Sequence, residues 1–145
     1  TTLKGRHIQI DKNNNVRLDF IGKKGVALSI PITDKTIAIS LLRRAKASGS
    51  EGKLFNVDSG QLLNYAKTLD GGGFKTKDFR TYLGTKIASD EIKKYGDKIP
   101  KTKKEYKQMV KDVAMIVSRK LGNAPTIALQ SYINPTLFSK WQGAF

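Results

Sequence analysis

Arg6-His7-Ile8-Gln9-Ile10, Val16-Arg17-Leu18-Asp19-Phe20 and Val26-Ala27-Leu28-Ser29-Ile30-Pro31-Ile32 are the stretches that decide the fold. The first two alternate polar and apolar residues, the period of a strand with one face on a core, and the third is a largely apolar run of strand length. Asp11-Lys12-Asn13-Asn14-Asn15 separates the first pair with turn chemistry, and Gly22-Lys23-Lys24-Gly25 makes a tight, glycine-bounded basic turn before the third. These segments predict a three-stranded antiparallel meander over about residues 6–32, with a basic tip.

Beyond Asp34, a natural N-cap, the spacing becomes helical: Ile37, Leu41, Leu42 and Ala45 share a face. Ser48-Gly49-Ser50-Glu51-Gly52 is loop. Ser59 is placed to cap a helix carrying Leu62, Leu63, Ala66 and Leu69, which Gly71-Gly72-Gly73 ends. Further helices are expected at about Lys77–Lys94, Lys101–Leu121 and Thr126–Ile133, with a last turn near Leu137–Trp141. The fold class is therefore α+β: a small three-stranded antiparallel sheet followed by a mainly α-helical body over about residues 34–142.

The chain has 145 residues, enough for one domain with a sizeable core. Its 27 Lys and Arg against 12 Asp and Glu leave a formal charge of +15, which points to a polyanionic partner, nucleic acid first. No cysteine is present, so disulfides and thiolate metal sites are excluded, as suits an intracellular protein. The longest apolar run, Val113 to Val117, is far shorter than the roughly 18 residues of a membrane span. The chain opens on Thr1, so a fragment or processed product is expected.

Sequence also limits the chemistry. There is one histidine, and no paired carboxylate motif, GxxxxGK[ST] loop or GxSxG elbow occurs. An enzyme of this composition acting on DNA is expected to work without a metal or other cofactor. Phosphoryl transfer then needs fixed cations around the phosphate, a side-chain nucleophile and an acid for the leaving oxygen. Arg, Lys and Tyr can fill all three roles.

Two segments answer that need. Lys77-Asp78-Phe79-Arg80-Thr81-Tyr82 puts an arginine near the start of a helix, and Leu121-Gly122-Asn123-Ala124-Pro125 is followed by Ser131-Tyr132-Ile133-Asn134-Pro135. They resemble the K-D-x-R-T-[YFW] and L-G-[HN]-[TA]-P…Y motifs of poxvirus-like and bacterial type IB DNA topoisomerases. Phe20-Ile21-Gly22-Lys23 resembles that family's F-[LIV]-G-K hairpin. The order Lys23, Arg80, Asn123, Tyr132 matches, and the resemblance covers essentially the whole chain.

The resemblance implies a catalytic domain of the kind shared by type IB topoisomerases and tyrosine recombinases. Tyr132 is then the nucleophile that forms a 3′-phosphotyrosyl intermediate on double-stranded DNA. Arg80 holds a non-bridging oxygen, Lys23 protonates the departing 5′ oxygen, and Asn123 donates a neutral hydrogen bond where many relatives have histidine. Supercoils relax without ATP. Lys4, Arg6, Lys24, Lys77, Arg119 and Lys120 are the cations expected to meet the DNA, and the enzyme is expected to act as a monomer. It also implies a second active-site arginine upstream of Thr1-Thr2-Leu3-Lys4, and an N-terminal DNA-clamp domain that this sequence does not contain. By itself the chain is thus expected to be weakly active or inactive.

Plainer roles stand beside these. Lys23 alone suits a solvated turn, Arg80 a partner for Asp78 or a cap on a neighbouring helix, Tyr132 a core aromatic and Asn123 a helix C-cap. His7 is read as structural or DNA-facing, and Trp141 and Phe145 as packing residues. A tyrosine recombinase uses similar residues but usually shows H-x-x-R where this chain has Lys77-Asp78-Phe79-Arg80. A non-enzymatic basic DNA-binding module explains the charge but not the ordered Lys, Arg, Asn and Tyr.

Overall fold

The computed structural model describes residues 2–69 and 71–143, leaving out the side chain of Lys24. The expectations for a Lys24 contact and for Phe145 packing thus lie outside the described residues. The chain divides into two compact units, one ending at Tyr65 and one beginning at Ala66.

In the first unit, strands β1 (Ile8–Ile10), β2 (Val16–Ile21) and β3 (Ala27–Ile32) form an antiparallel sheet in the order β1-β2-β3. The register sets Val16 opposite Ile10 and Ile32, Leu18 opposite Ile8 and Ile30, and Phe20 opposite Leu28, so the apolar residues of neighbouring strands share a face. On the other face Asp19 accepts from Arg17 Nε and from Ser29 Oγ, each at 2.7 Å. The meander is as expected, but β1 starts two residues late. Gly5–His7 form a 3-10 turn, in which His7 Nδ1 accepts the Lys4 N–H at 2.9 Å, so His7 has a structural part.

Helix α1 (Lys35–Ser48) begins where Asp34 accepts the Ile37 N–H at 2.9 Å, as its sequence predicts. It packs on β1 and β3 and buries Leu41, which with Val16 and Leu54 makes up the buried apolar set of this unit. In α2 (Ser59–Lys67) the cap is Asp58 and not Ser59: Asp58 Oδ1 accepts the Gln61 N–H while Gln61 Oε1 accepts the Asp58 N–H. That is a reciprocal capping box, with each side chain satisfying one orphan donor. Leu69 lies beyond the helix end.

The second unit is helical: α3 (Thr76–Lys94), α4 (Lys103–Leu121), α5 (Pro125–Ser131), a 3-10 turn at Pro135–Phe138 and α6 (Ser139–Gln142). Met109, Val110, Val113, Ala114, Val117 and Leu121 fall on one stripe of α4 and are buried. They pack with Ala88 of α3, Ala128 of α5, Ile133, Phe138 and Trp141. Val113 and Val117 have no exposed surface, and burying such a side chain contributes about 1.5–3 kcal/mol. Trp141 is a packing residue, its ring meeting Tyr95 edge-on at 5.0 Å. Helix α5 stops two residues sooner than expected, because Tyr132 leaves helical geometry at φ −133°, ψ −9°.

Candidate active site

Three of the four sequence-predicted catalytic residues, Arg80, Asn123 and Tyr132, belong to the second unit, and the ends of α3, α4 and α5 position them. Helix α4 terminates at Gly122, whose φ of 64° lies in the left-handed region that glycine adopts without a Cβ penalty. The Gly122 and Asn123 N–H groups both donate to Ser118 O, which turns the chain sharply. Pro125 then starts α5 at a position where its missing N–H costs nothing. Asn123 is therefore fixed in the turn by its backbone. Both polar atoms of its side chain are buried with no hydrogen-bond partner among the described residues. Leaving such a group unpaired ordinarily costs about 1–3 kcal/mol.

Arg80 sits in the second turn of α3. Asp78, two residues before it, accepts the Lys75 N–H at 2.8 Å and closes the first turn of the helix. Arg80 reaches across to α4, where Nη2 donates to Leu121 O at 2.7 Å. That carbonyl is one of the orphan acceptors at a helix C-terminus, where the dipole also favours a cation. The helix-cap role that sequence left open for Arg80 is thus present. It uses only part of a fork with five donors, and Arg80 is exposed.

The same guanidinium lies over the Tyr132 ring, with Cζ 5.0 Å from the centroid, and Lys77 Nζ stands 5.7 Å from it. Lys77 and Arg80 are one turn apart on α3, the spacing that puts two side chains on one face. Each contact contributes about 0.5–1 kcal/mol at an exposed site. Two cations are thereby held against the tyrosine, and one of them is anchored to the segment that carries Asn123.

The Tyr132 backbone is held as firmly as its ring. Its N–H donates to Ala128 O at 3.0 Å, and its C=O accepts from Thr85 Oγ1 at 3.2 Å. Thr85 Oγ1 in turn accepts the Asn134 N–H at 3.1 Å, while the Ile133 side chain between them is buried in the core. Gly84 is buried directly beneath: a Cβ there would lie 2.6 Å from Tyr132 O and 3.1 Å from Tyr132 Cβ. Sequence reasoning missed Gly84 and Thr85. The available signal was a glycine inside a helical stretch, which costs stability unless packing requires it.

Lys23 belongs to the first unit. It opens a one-turn 3-10 segment, Lys23–Gly25, closed by Gly22 N–H to Val26 O at 2.7 Å and Gly25 N–H to Gly22 O at 3.2 Å. The turn is rigidly bonded, and the lysine on it is exposed. Of the expected DNA-contacting cations, Lys4 and Arg6 are both paired with Glu51, at 2.9 and 2.6 Å. These bonds, Lys4's first, hold the Glu51 carboxyl below the usual carboxylate range. Arg119 and Lys120 are exposed in the last turn of α4. No described helix is long and apolar enough to cross a membrane.

A small antiparallel sheet followed by a helical body is the α+β architecture expected of a topoisomerase catalytic core. The chain matches the family of eukaryotic DNA topoisomerase I, catalytic core, over residues 1–131, and it belongs to that family. The match takes in Lys23, Arg80 and Asn123 and ends one residue before Tyr132. No curated protein matches the chain.

Proposed function

We propose that this chain is the catalytic part of a type IB DNA topoisomerase of the poxvirus-like and bacterial kind, acting as a monomer on double-stranded DNA inside the cell. The observation that carries the proposal is the Arg80 guanidinium, bonded to the end of α4 and seated over the Tyr132 ring. Tyr132 Oη attacks phosphorus in line and forms a 3′-phosphotyrosyl ester, and its phenolic proton passes to solvent. The bond from phosphorus to the 5′ oxygen breaks, and Lys23 supplies the proton that makes the leaving strand a 5′-hydroxyl. Arg80 binds a non-bridging oxygen through its unused donors, and the buried, unpaired Asn123 amide donates to another. One diester has been exchanged for another, so the reverse attack reseals DNA without ATP. Every role falls to a side chain, and the reaction needs no metal or cofactor.

In the same reading an arginine upstream of Thr1 completes the donors around the phosphate. Residues 1–145 alone then cleave slowly beside a longer chain that carries it. The test is covalent capture on a suicide duplex with EDTA present throughout, comparing the full-length protein with Tyr132→Phe. The substitution should leave DNA binding intact and abolish the adduct. An adduct formed by the Phe variant sinks the proposal.

A further inference from the structure

We propose that Thr85 is a positioning residue for Tyr132, and that Gly84 provides the space that positioning needs; the inference rests on the nucleophile reading above. Two threonines one turn apart on α3 behave differently. Thr81 Oγ1 donates to Lys77 O of its own helix at 3.3 Å, the usual outlet for a mid-helix hydroxyl. Thr85 Oγ1 instead leaves its helix, donating to Tyr132 O and accepting from Asn134 N. One hydroxyl thus fixes the peptide groups on both sides of Ile133, whose side chain is locked in the core.

The Tyr132 carbonyl can come this close only because position 84 has no side chain, since an added Cβ would stand 2.6 Å from it. The ring direction depends on that peptide plane. Tyr132 has left the helix, and the peptide that follows it is held at both ends: the Ile133 N–H donates to Ala128 O at 3.1 Å, and the Tyr132 carbonyl accepts from the Thr85 hydroxyl. Cleavage requires the phenol oxygen in line with the scissile bond, and an error of about 1 Å in such alignment can cost on the order of 10²-fold in rate. Thr85 bonds the Tyr132 backbone and not its phenol oxygen, so it acts through Tyr132.

The experiment measures single-turnover cleavage of a suicide duplex at saturating DNA, DNA affinity by anisotropy, and melting temperature. It compares the full-length protein with Thr85→Val, Thr85→Ser, Gly84→Ala and Tyr132→Phe. Valine keeps the shape of threonine and removes the hydroxyl, so cleavage should slow roughly 10- to 100-fold with affinity unchanged. Serine should restore the rate, and Gly84→Ala should slow cleavage as valine does. Thr85→Val cleaving at the unsubstituted rate, or Thr85→Ser no faster than Thr85→Val, overturns the inference. So does a loss of cleavage matched by an equal loss of affinity and thermal stability, which marks a merely structural hydroxyl. An adduct from Tyr132→Phe overturns the nucleophile reading itself. An inert Tyr132→Phe beside a fully active Thr85→Val overturns only the role of Thr85.

Discussion

On its position alone Arg80 suits a partner for Asp78 or the cap of a neighbouring helix better than a phosphate clamp, and the structure gives it the cap while leaving most of its fork free. A lysine could not divide itself this way, because one ammonium cannot bond a carbonyl and still present a planar pair of donors. Lys23 has a simpler setting, exposed on a turn bonded through Gly22 and Gly25, and its proposed role is separable by chemistry. Lys23→Ala should slow cleavage of ordinary DNA by roughly 10²–10⁴-fold, the range typical of a lost general acid. A duplex with sulfur at the bridging 5′ position should recover most of the rate, because a thiolate leaves without a proton. Equal defects on both duplexes would assign Lys23 to binding. Lys23, Arg80, Asn123 and Tyr132 could be singled out because each is a chemically distinctive side chain in a fixed local pattern. Thr85 and Gly84 were not, because each meets Tyr132 from 47 and 48 positions away respectively, a contact that no local pattern encodes.

At the scale of the element, α4 was the easiest to read: its apolar stripe is long and Thr102 caps it, accepting the Glu105 N–H at 3.2 Å. The start of β1 was misread for a physical reason. The Gly5 and Arg6 N–H groups donate to Gly52 O and Ser50 O, so alternation at Arg6 and His7 does not amount to pairing with β2. The α2 cap went to Asp58 because the Asp58–Gln61 spacing allows reciprocal bonds, a pattern present in the sequence one residue ahead of the serine. Helix α5 ends early where Tyr132 leaves helical geometry and the Ile133 N–H bonds Ala128 O, one residue further back than an α-helix uses. Helix ends thus carry the site, and Gly122 is the most exacting of them. Gly122→Ala forces a Cβ into the left-handed region at a cost of about 1–2 kcal/mol. Calorimetry should find a melting temperature lower by about 2–8 °C in a domain of this size. An unchanged melting temperature would mean that α4 can end another way, and that Asn123 is not held by this turn.

The whole molecule carries a charge of +15, yet part of that charge is already engaged. Glu51 binds both Lys4 and Arg6, two of the cations expected at DNA. Its depressed carboxyl keeps this clamp intact above the ordinary glutamate value, and the clamp is lost only as pH falls through the lower, folded-state value. Glu51→Gln at neutral pH should free both cations and tighten DNA binding. It should also steepen the dependence of log affinity on log salt by about 0.9 for each phosphate newly contacted. Unchanged affinity and slope, measured by anisotropy across a salt series, would place Lys4 and Arg6 away from DNA. The central claim, that Tyr132 attacks the phosphodiester, is tested most directly by mapping the covalent adduct. The trapped complex is digested with trypsin and nuclease and its nucleotide located by mass spectrometry. The account predicts the nucleotide on peptide Leu121–Lys140, whose single tyrosine is Tyr132, joined through a 3′ phosphate with a free 5′-hydroxyl on the released strand. A nucleotide found on Tyr82, 70% exposed and next in the arginine motif, or joined through its 5′ phosphate, would contradict it.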